Sequence, residues 1–191
     1  YTHDGLGSHP SRDTLQRGYK YGSLTEGLIA YYPLDDSSDT STATDATPLN
    51  NNGTINGATY NGSGQVGSDC LNFDGSNDSV DVSRPLVDST DGSVFSVGFW
   101  LYLNSTSSHG RIFNQNDNSS GFTIKEYGGG DLQVRVEEND NIQDTIFATI
   151  STGKWYHIFV RRDSNNNHEI YLDGSFVDSL TGFSDSEAYD T

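Results

Sequence analysis

The stretch Val94-Phe95-Ser96-Val97-Gly98-Phe99-Trp100-Leu101-Tyr102-Leu103 decides the fold class. In an extended chain successive side chains point to opposite faces, so Phe95, Val97, Phe99, Leu101 and Leu103 share one face while Trp100 and Tyr102 share the other. A strand with apolar groups on both sides is predicted to be covered on both and to lie centrally in its sheet.

Working outward toward the C-terminus, the same rhythm recurs in Ile112-Phe113, Phe122-Thr123-Ile124, Leu132 to Val136 and Thr145 to Ile150. Short strands at intervals of about ten residues are the pattern of a sandwich. Trp155 to Arg162, Glu169 to Leu172 and Phe176 to Leu180 complete the set. Asn165-Asn166-Asn167 and Asp173-Gly174 stand where tight turns are needed, and Asp-Gly suits a type I′ turn because both central residues take positive φ.

Toward the N-terminus, Ser79-Val80-Asp81-Val82 alternates polar and apolar. With Cys70-Leu71-Asn72-Phe73 and the turn Asp74 to Asp78 it predicts a hairpin-like unit. Thr54-Ile55 and Ala58-Thr59-Tyr60 are short strand pieces in a stretch rich in Gly and Asn, and Ser37 to Asn52 reads as a loop. Gly27-Leu28-Ile29-Ala30-Tyr31-Tyr32-Pro33-Leu34 is a strand-like run stopped by proline. One domain is therefore placed at 27–191. Residues 1–26 show no apolar period and read as a polar arm or linker, with Leu15, Tyr19, Tyr21 and Leu24 as groups that could dock into a neighbouring subunit.

Composition supports an all-β class: Gly (21), Tyr (11) and Phe (9) abound with Asn, Ser, Thr and Asp, while helix formers are scarce. Asp and Glu number 27 against 10 Lys and Arg, giving a net charge of -17 and a pI of about 4.2. That charge repels nucleic acid and anionic lipid. No run approaches the roughly 18 apolar residues of a spanning helix, so membrane insertion is not expected. Asp outnumbers Glu and the lysines are only Lys20, Lys125 and Lys154. A surface of this kind suits high salt, where the Debye length shrinks to about 3 Å at 1 M, and points to a halophile. Cys70 is alone, so no intramolecular disulfide forms. The sequence contains no Met, which reads as a processed or partial chain.

Four segments in order are similar to the concanavalin-A-like lectin/glucanase superfamily, in its laminin-G-like branch. They are Gly27 to Asp35, Leu71 to Val80 with its Phe73-Asp74-Gly75 turn, Phe95 to Leu101, and Gly153-Lys154-Trp155-Tyr156-His157-Ile158 continuing to Asp173-Gly174. The resemblance implies a two-sheet antiparallel jelly-roll sandwich, secreted or surface-displayed, that binds glycans or proteins and in some members Ca²⁺. It also implies a final strand beside the first, of the type Gly-x-Ile-Asp-Asp-Val-Arg-Ile-Tyr. That strand is absent before Thr191, so the domain is expected to be completed beyond the given residues or by another chain. An uncovered first strand would be an open edge.

For chemistry, glycosidases of this superfamily carry a Glu-x-Asp-x-x-Glu pattern on one strand face. The nearest approach is Glu138-Asn139-Asp140-Asn141-Ile142-Gln143, where the last acid is replaced by Gln143. It reads as a loop, and no enzyme activity is expected. No nucleophile elbow or phosphate loop is present, and the histidines His3, His9, His109, His157 and His168 lack metal-ligand spacing. His157 reads as strand packing. Ca²⁺ is the candidate cofactor, with Asp35, Asp74, Asn77 and Asp78 as oxygen ligands and Asp36 nearby. Candidate ligand-binding residues are Asn114 and Asn116 after a strand and Tyr127 beside Gly128-Gly129-Gly130. Sequons at Asn52, Asn61, Asn77, Asn104 and Asn118 are candidate glycosylation sites.

The sequence thus predicts a non-catalytic recognition or adhesion module on a cell surface, with a glycan or surface protein as partner. The alternative is a structural subunit of a halophilic virus's capsid, turret or fibre. In either case other subunits of a surface or virion assembly are expected partners.

Overall fold

The computed structural model describes residues 27–36, 40–87, 94–106, 110–116, 121–138 and 141–181. Among them are thirteen strands: β1 (Thr42–Ala43), β2 (Gly53–Asn56), β3 (Thr59–Asn61), β4 (Cys70–Asn72), β5 (Ser79–Val82), β6 (Phe95–Tyr102), β7 (Arg111–Asn116), β8 (Gly121–Glu126), β9 (Asp131–Glu138), β10 (Asn141–Thr149), β11 (Trp155–Arg162), β12 (His168–Leu172) and β13 (Ser175–Leu180). All pairings are antiparallel. Two four-stranded sheets, in the orders β10-β9-β8-β7 and β13-β12-β11-β6, accompany smaller sheets β1-β2-β5 and β3-β4. The expected all-β sandwich is what the chain forms.

The two large sheets pack face to face through their alternate side chains. Tyr156, Ile158, Val160 and Arg162 of β11 are buried, whereas Trp155, His157, Phe159 and Arg161 face outward. Phe122 and Ile124 of β8 and Leu132, Val134 and Val136 of β9 meet Ile158, Val160 and Ile170 across the interface. Burying each such side chain contributes roughly 1.5–3 kcal/mol. Phe95, Val97, Phe99, Leu101 and Leu103 join this core as one face of β6, as the alternation predicted. At one edge Thr145 Oγ1 of β10 donates to Asp178 Oδ2 of β13 at 2.6 Å, joining the sheets.

His168 and Arg162 are buried at one end of this core. The His168 ring stacks on Phe122 at 6.1 Å and meets Phe95 edge-on at 5.8 Å. Burial, then the neighbouring Arg162 charge, pushes its pKa down to about 3, with Asp163 opposing. The Asp173-Gly174 turn adopts φ of 49° and 78°, as a type I′ turn requires.

Four expectations are corrected. β6 is not central: it is the last strand in the described order of its sheet and pairs with β11. Its second apolar face stays exposed, Trp100 at 42% and Tyr102 at 38%, with Tyr102 beside Trp155 at 5.4 Å and Trp100 beside His157 at 5.1 Å. The Cys70 and Ser79 strands do not form a hairpin: β4 pairs with β3 and β5 with β2. The turn between them closes on itself, Asp74 N–H donating to Asp78 at 2.8 Å, and carries the chain from one small sheet to the other. β1 lies inside the stretch expected to be a loop.

Finally, Gly27 to Leu34 is not a strand of any described sheet. Its odd-numbered backbone groups bond to the 45–51 loop instead. Tyr31 N–H donates to Asp45 Oδ1 at 2.9 Å, Tyr31 C=O accepts from Ala46 N–H at 2.8 Å, and Ile29 C=O accepts from Asn51 Nδ2 at 2.7 Å. Tyr32 and Leu34 pack against Ala43, Ile55 and Ala58. The arm at 1–26 and residues 182–191 lie outside the described residues.

Candidate recognition face

The outward face of the β7–β10 sheet gathers polar side chains in cross-strand rows. Register places Asn114, Thr123, Arg135 and Asp144 side by side, one from each strand. The next row holds Lys125, Gln133 and Ile146, and a further pair is Glu137 with Ile142. The floor of this face is low: Thr123 and Gln133 are buried although they point away from the core. Ile142 and Ile146 stand exposed along β10.

The polar groups hold one another in place. Thr123 Oγ1 donates to Asn114 Oδ1 at 2.9 Å, Arg135 meets Glu137 at 3.2 Å, and Gln133 Nε2 donates to Asp144 at 3.3 Å. Among the described residues Gln133 Oε1 is buried with no hydrogen-bond partner. A buried acceptor in that state carries a desolvation penalty on the order of 1–3 kcal/mol. Lys125 Nζ lies 4.8 Å from the centroid of the Tyr127 ring at the end of β8, a cation–π contact that orients both. The face therefore offers amide, guanidinium, ammonium and carboxylate groups beside an aromatic ring.

Two of the expected ligand-binding residues, Asn114 and Tyr127, are brought to this face. Asn116 pairs through its backbone with Gly121 at the far end of β7. Thr123, Lys125, Gln133, Arg135, Glu137 and Asp144 were not singled out from the sequence. Their signal was the polar half of the alternation in β8, β9 and β10, which reads in isolation as ordinary solvent exposure.

Retaining glycosidases hold two carboxyls about 5 Å apart and inverting ones about 6.5–9.5 Å apart on rigid elements. The outward neighbour of Glu137 on β9 is Arg135, which forms an ion pair with it. Glu138 ends β9 opposite Asn141, the first residue of β10. Asp140 lies outside the described residues.

The expected calcium ligands fall into two separate groups. Asp35 Oδ1 accepts Ser68 N–H and Asp69 N–H, each at 2.7 Å, and Ser68 Oγ at 3.0 Å. The Asp69 and then the Ser68 bonds hold its carboxyl below the ordinary carboxylate range. Gly67, at φ 82°, lies so close that a Cβ would meet this carboxylate. Asp74 and Asp78 instead close the 74–78 turn, with Ser76 N–H donating to Asp74 at 2.8 Å, and Asn77 is exposed in the same turn. Among the described residues no three His, Cys, Asp or Glu side chains form a metal-binding group.

Of the sequons, Asn52, Asn61, Asn77 and Asn104 are exposed, and Asn118 lies outside the described residues. The Asn52 side chain accepts Asp45 N–H at 2.9 Å and Asn104 Nδ2 donates to Asn72 at 3.2 Å. Asn61 and Asn77 are the more available of the set.

Comparison with known proteins bears on the fold. The model of a family described as the concanavalin A-like lectin/glucanases superfamily matches residues 74–191. No curated protein matches the sequence. An S-layer domain-containing protein of Clostridium thermocellum ATCC 27405 is similar in structure, with TM-score 0.55, 18% identity and coverage of 79% of this chain and 71% of that one. The binding domain of Paraclostridial Mosquitocidal Protein 1 aligns with TM-score 0.62 and 18% identity over 81% of this chain and 40% of its own length. For the botulinum neurotoxin serotype G binding domain the values are 0.54, 20%, 76% and 38%. The chain thus spans about two fifths of each toxin domain. At these identities the likeness shows the fold.

Proposed function

The chain belongs to the concanavalin A-like lectin/glucanases superfamily, and from that premise we propose that it is a non-catalytic recognition module, displayed outside the cell, that binds a glycan on the outward face of β7–β10. The observation that carries the reading is the row Asn114, Thr123, Arg135 and Asp144 above the buried, partnerless Gln133 Oε1. Sugars are recognised through hydroxyls that both donate and accept. A face holding amides, a hydroxyl, a guanidinium and a carboxylate in one row answers both halves of that requirement. Tyr127 supplies an apolar ring beside it.

Two similar structures are binding domains and a third is an S-layer domain-containing protein, which favours binding and surface display over catalysis. The charge of -17 supports a halophilic setting. Calcium belongs to the proposal as a ligand of the acidic turns at Asp35 and at Asp74, Asn77 and Asp78. A chelator that left both melting and binding unchanged would remove it.

The test is a glycan array at high salt with the wild type and Arg135→Ala. The expected result is a defined set of glycans whose binding falls about tenfold or more in the variant, the effect of removing a central polar anchor. An array without hits would overturn the reading.

A further inference from the structure

The pair Asn-Gly occurs three times in the sequence, as Asn52-Gly53, Asn56-Gly57 and Asn61-Gly62. In such a pair the backbone nitrogen of glycine can attack the asparagine side chain, because glycine has no side chain of its own to block the approach. By sequence alone the three pairs are equivalent, and the fold separates them.

Asn52 precedes the buried Gly53, which lies in β2 between β1 and β5. The Asn52 side chain accepts Asp45 N–H at 2.9 Å, and a Cβ on Gly53 would sit 2.5 Å from Val80 Cγ1. Asn56 ends β2. Its Nδ2 donates to Asp81 Oδ2 at 2.9 Å and to Ser79 Oγ at 3.3 Å, both on β5. Asp78 packs so closely on Gly57 that a Cβ there would collide with its carboxylate. In both pairs the side chain is tethered and the glycine is crowded.

Asn61 also ends a strand, β3, yet its side chain makes no hydrogen bond among the described residues. Its backbone C=O accepts Ser63 N–H at 2.8 Å and Cys70 Sγ at 3.4 Å, which closes a tight turn around Gly62 and leaves the side-chain amide free. Asn61 and Gly62 are both exposed. A Cβ on Gly62 would find its nearest neighbour, Asp69 Oδ1, at 3.7 Å, an ordinary contact.

We propose that Asn61 is a self-modification site, converted to aspartate and isoaspartate through a cyclic imide, while the fold protects Asn52 and Asn56. The Gly62 backbone nitrogen gives up its proton to solvent and bonds to Asn61 Cγ, closing a succinimide ring. The side-chain nitrogen takes a proton and leaves as ammonia. Water then adds to either ring carbonyl and breaks its bond to the ring nitrogen, so that the net change is water in and ammonia out with no change of oxidation state. The product places a new carboxylate in the region from Gly27 to Val82, which holds no Lys or Arg. Isoaspartate also runs the main chain through an extra methylene where Asn61 pairs with Cys70. Asn61-Gly62-Ser63 is a sequon as well, so glycosylation and conversion compete for the same Nδ2.

The test incubates the wild-type protein at high salt and mildly alkaline pH. Chymotrypsin cuts after Tyr60 and so separates Asn61 from Asn52 and Asn56. Mass spectrometry then reads each site, and isoaspartyl methyltransferase labels the isoaspartate. Asn61 is expected to convert about tenfold or more faster than Asn52 and Asn56, which must await local opening. In urea the three rates are expected to converge to within about twofold, since the dipeptide is the same. Gly62→Ala is expected to slow conversion at Asn61 about tenfold or more with the melting midpoint unchanged. Asn52 or Asn56 converting as fast as Asn61 in the folded protein overturns the proposal. So does an Asn61 that stays intact in the folded protein while the chain in urea converts. Rates that keep the same spread in urea would assign the order to local sequence and overturn the role of the fold. Conversion in Gly62→Ala at the wild-type rate overturns the imide route.

Discussion

The sandwich between Phe95 and Leu180 and the small sheets between Leu28 and Val82 are held by different forces. The first buries twelve side chains in one cluster, from Phe122 to Leu180. The second buries Ala43, Ile55 and Ala58, with Tyr32, Leu34, Tyr60, Leu71 and Val80 packed against them. What the N-terminal region lacks in apolar volume it replaces with one carboxylate. Asp45 accepts Tyr31 N–H, Thr47 N–H, Thr47 Oγ1 and Asn51 N–H at 2.7–2.9 Å. Burial would raise its pKa, but the bonds from Tyr31, Thr47 and Asn51 outweigh burial and hold it below the usual value. The lesson is that one chain can be organised by side-chain volume in one half and by backbone hydrogen bonds to a single acid in the other.

The sharpest way to break that contrast is to damage each region separately. Ile158→Ala empties a fully buried position between the sheets and is expected to cost about 3–4 kcal/mol in urea denaturation. A cost below about 1 kcal/mol would mean that the sandwich core is not the main source of stability. Asp45→Ala is expected to cost about 2–3 kcal/mol, the penalty for stranding buried donors. The loss is local: hydrogen exchange should accelerate at the Tyr31, Thr47 and Asn51 amides while the Val134 and Ile158 amides stay protected. Equal acceleration in both regions would show one cooperative unit and dissolve the contrast. In the wild type, the Asp45 contribution is present above the ordinary carboxylate pKa of about 3.9 and is lost as pH falls through the depressed folded value.

Acid should find the sandwich first, through His168. Its folded pKa of about 3 lies below the value of about 6.5 for an exposed imidazole. Between the two, the unfolded chain takes a proton that the folded chain refuses. Stability is therefore full above about pH 6.5 and falls as pH drops, by up to about 1.4 kcal/mol per pH unit. Measured from pH 6.5 to 5, above the carboxylate range, this slope should appear in the global unfolding free energy, with the Tyr31 and Asn51 amides responding only through it. A flat profile in that window would mean that the imidazole is not held neutral.

The same contrast explains what was legible in the sequence. β5, β6 and β11 declare themselves because every second side chain enters a core, and period two is visible in a bare string. Nothing in the string announces that Asp45, one of many acids, is buried, or that the Gln115 side chain bonds to Leu86 N–H, Val87 N–H and Val87 C=O at 3.0 Å. Such contacts obey no periodicity. The same reason misplaced Gly27 to Leu34, whose apolar run stopped by proline promised a strand but whose backbone bonds to the 45–51 loop. The residues of the proposed binding face were half legible: Asn114 and Tyr127 stood out as types, whereas Arg135 and Asp144 acquire meaning only when register sets them side by side.

The smallest expected effect is also the most discriminating between the regions. From Gly27 to Val82 the chain carries Asp35, Asp36, Asp39, Asp45, Asp69, Asp74, Asp78 and Asp81 and neither Lys nor Arg. The sandwich intersperses its acids with Arg111, Lys125, Arg135, Lys154, Arg161 and Arg162. Repulsion among exposed carboxylates weakens as the Debye length shrinks from about 10 Å at 0.1 M salt to about 3 Å at 1 M. Raising salt across that range should therefore strengthen exchange protection at Tyr31, Thr47 and Asn51 more than at Val134 and Ile158, by about 1 kcal/mol or less. Sodium chloride is the right salt for the measurement, because sulfate would also strengthen apolar burial and favour the sandwich. An equal gain in both regions would mean that the charge acts on the molecule as a whole, and that the unbalanced acids of the N-terminal region carry no separate burden.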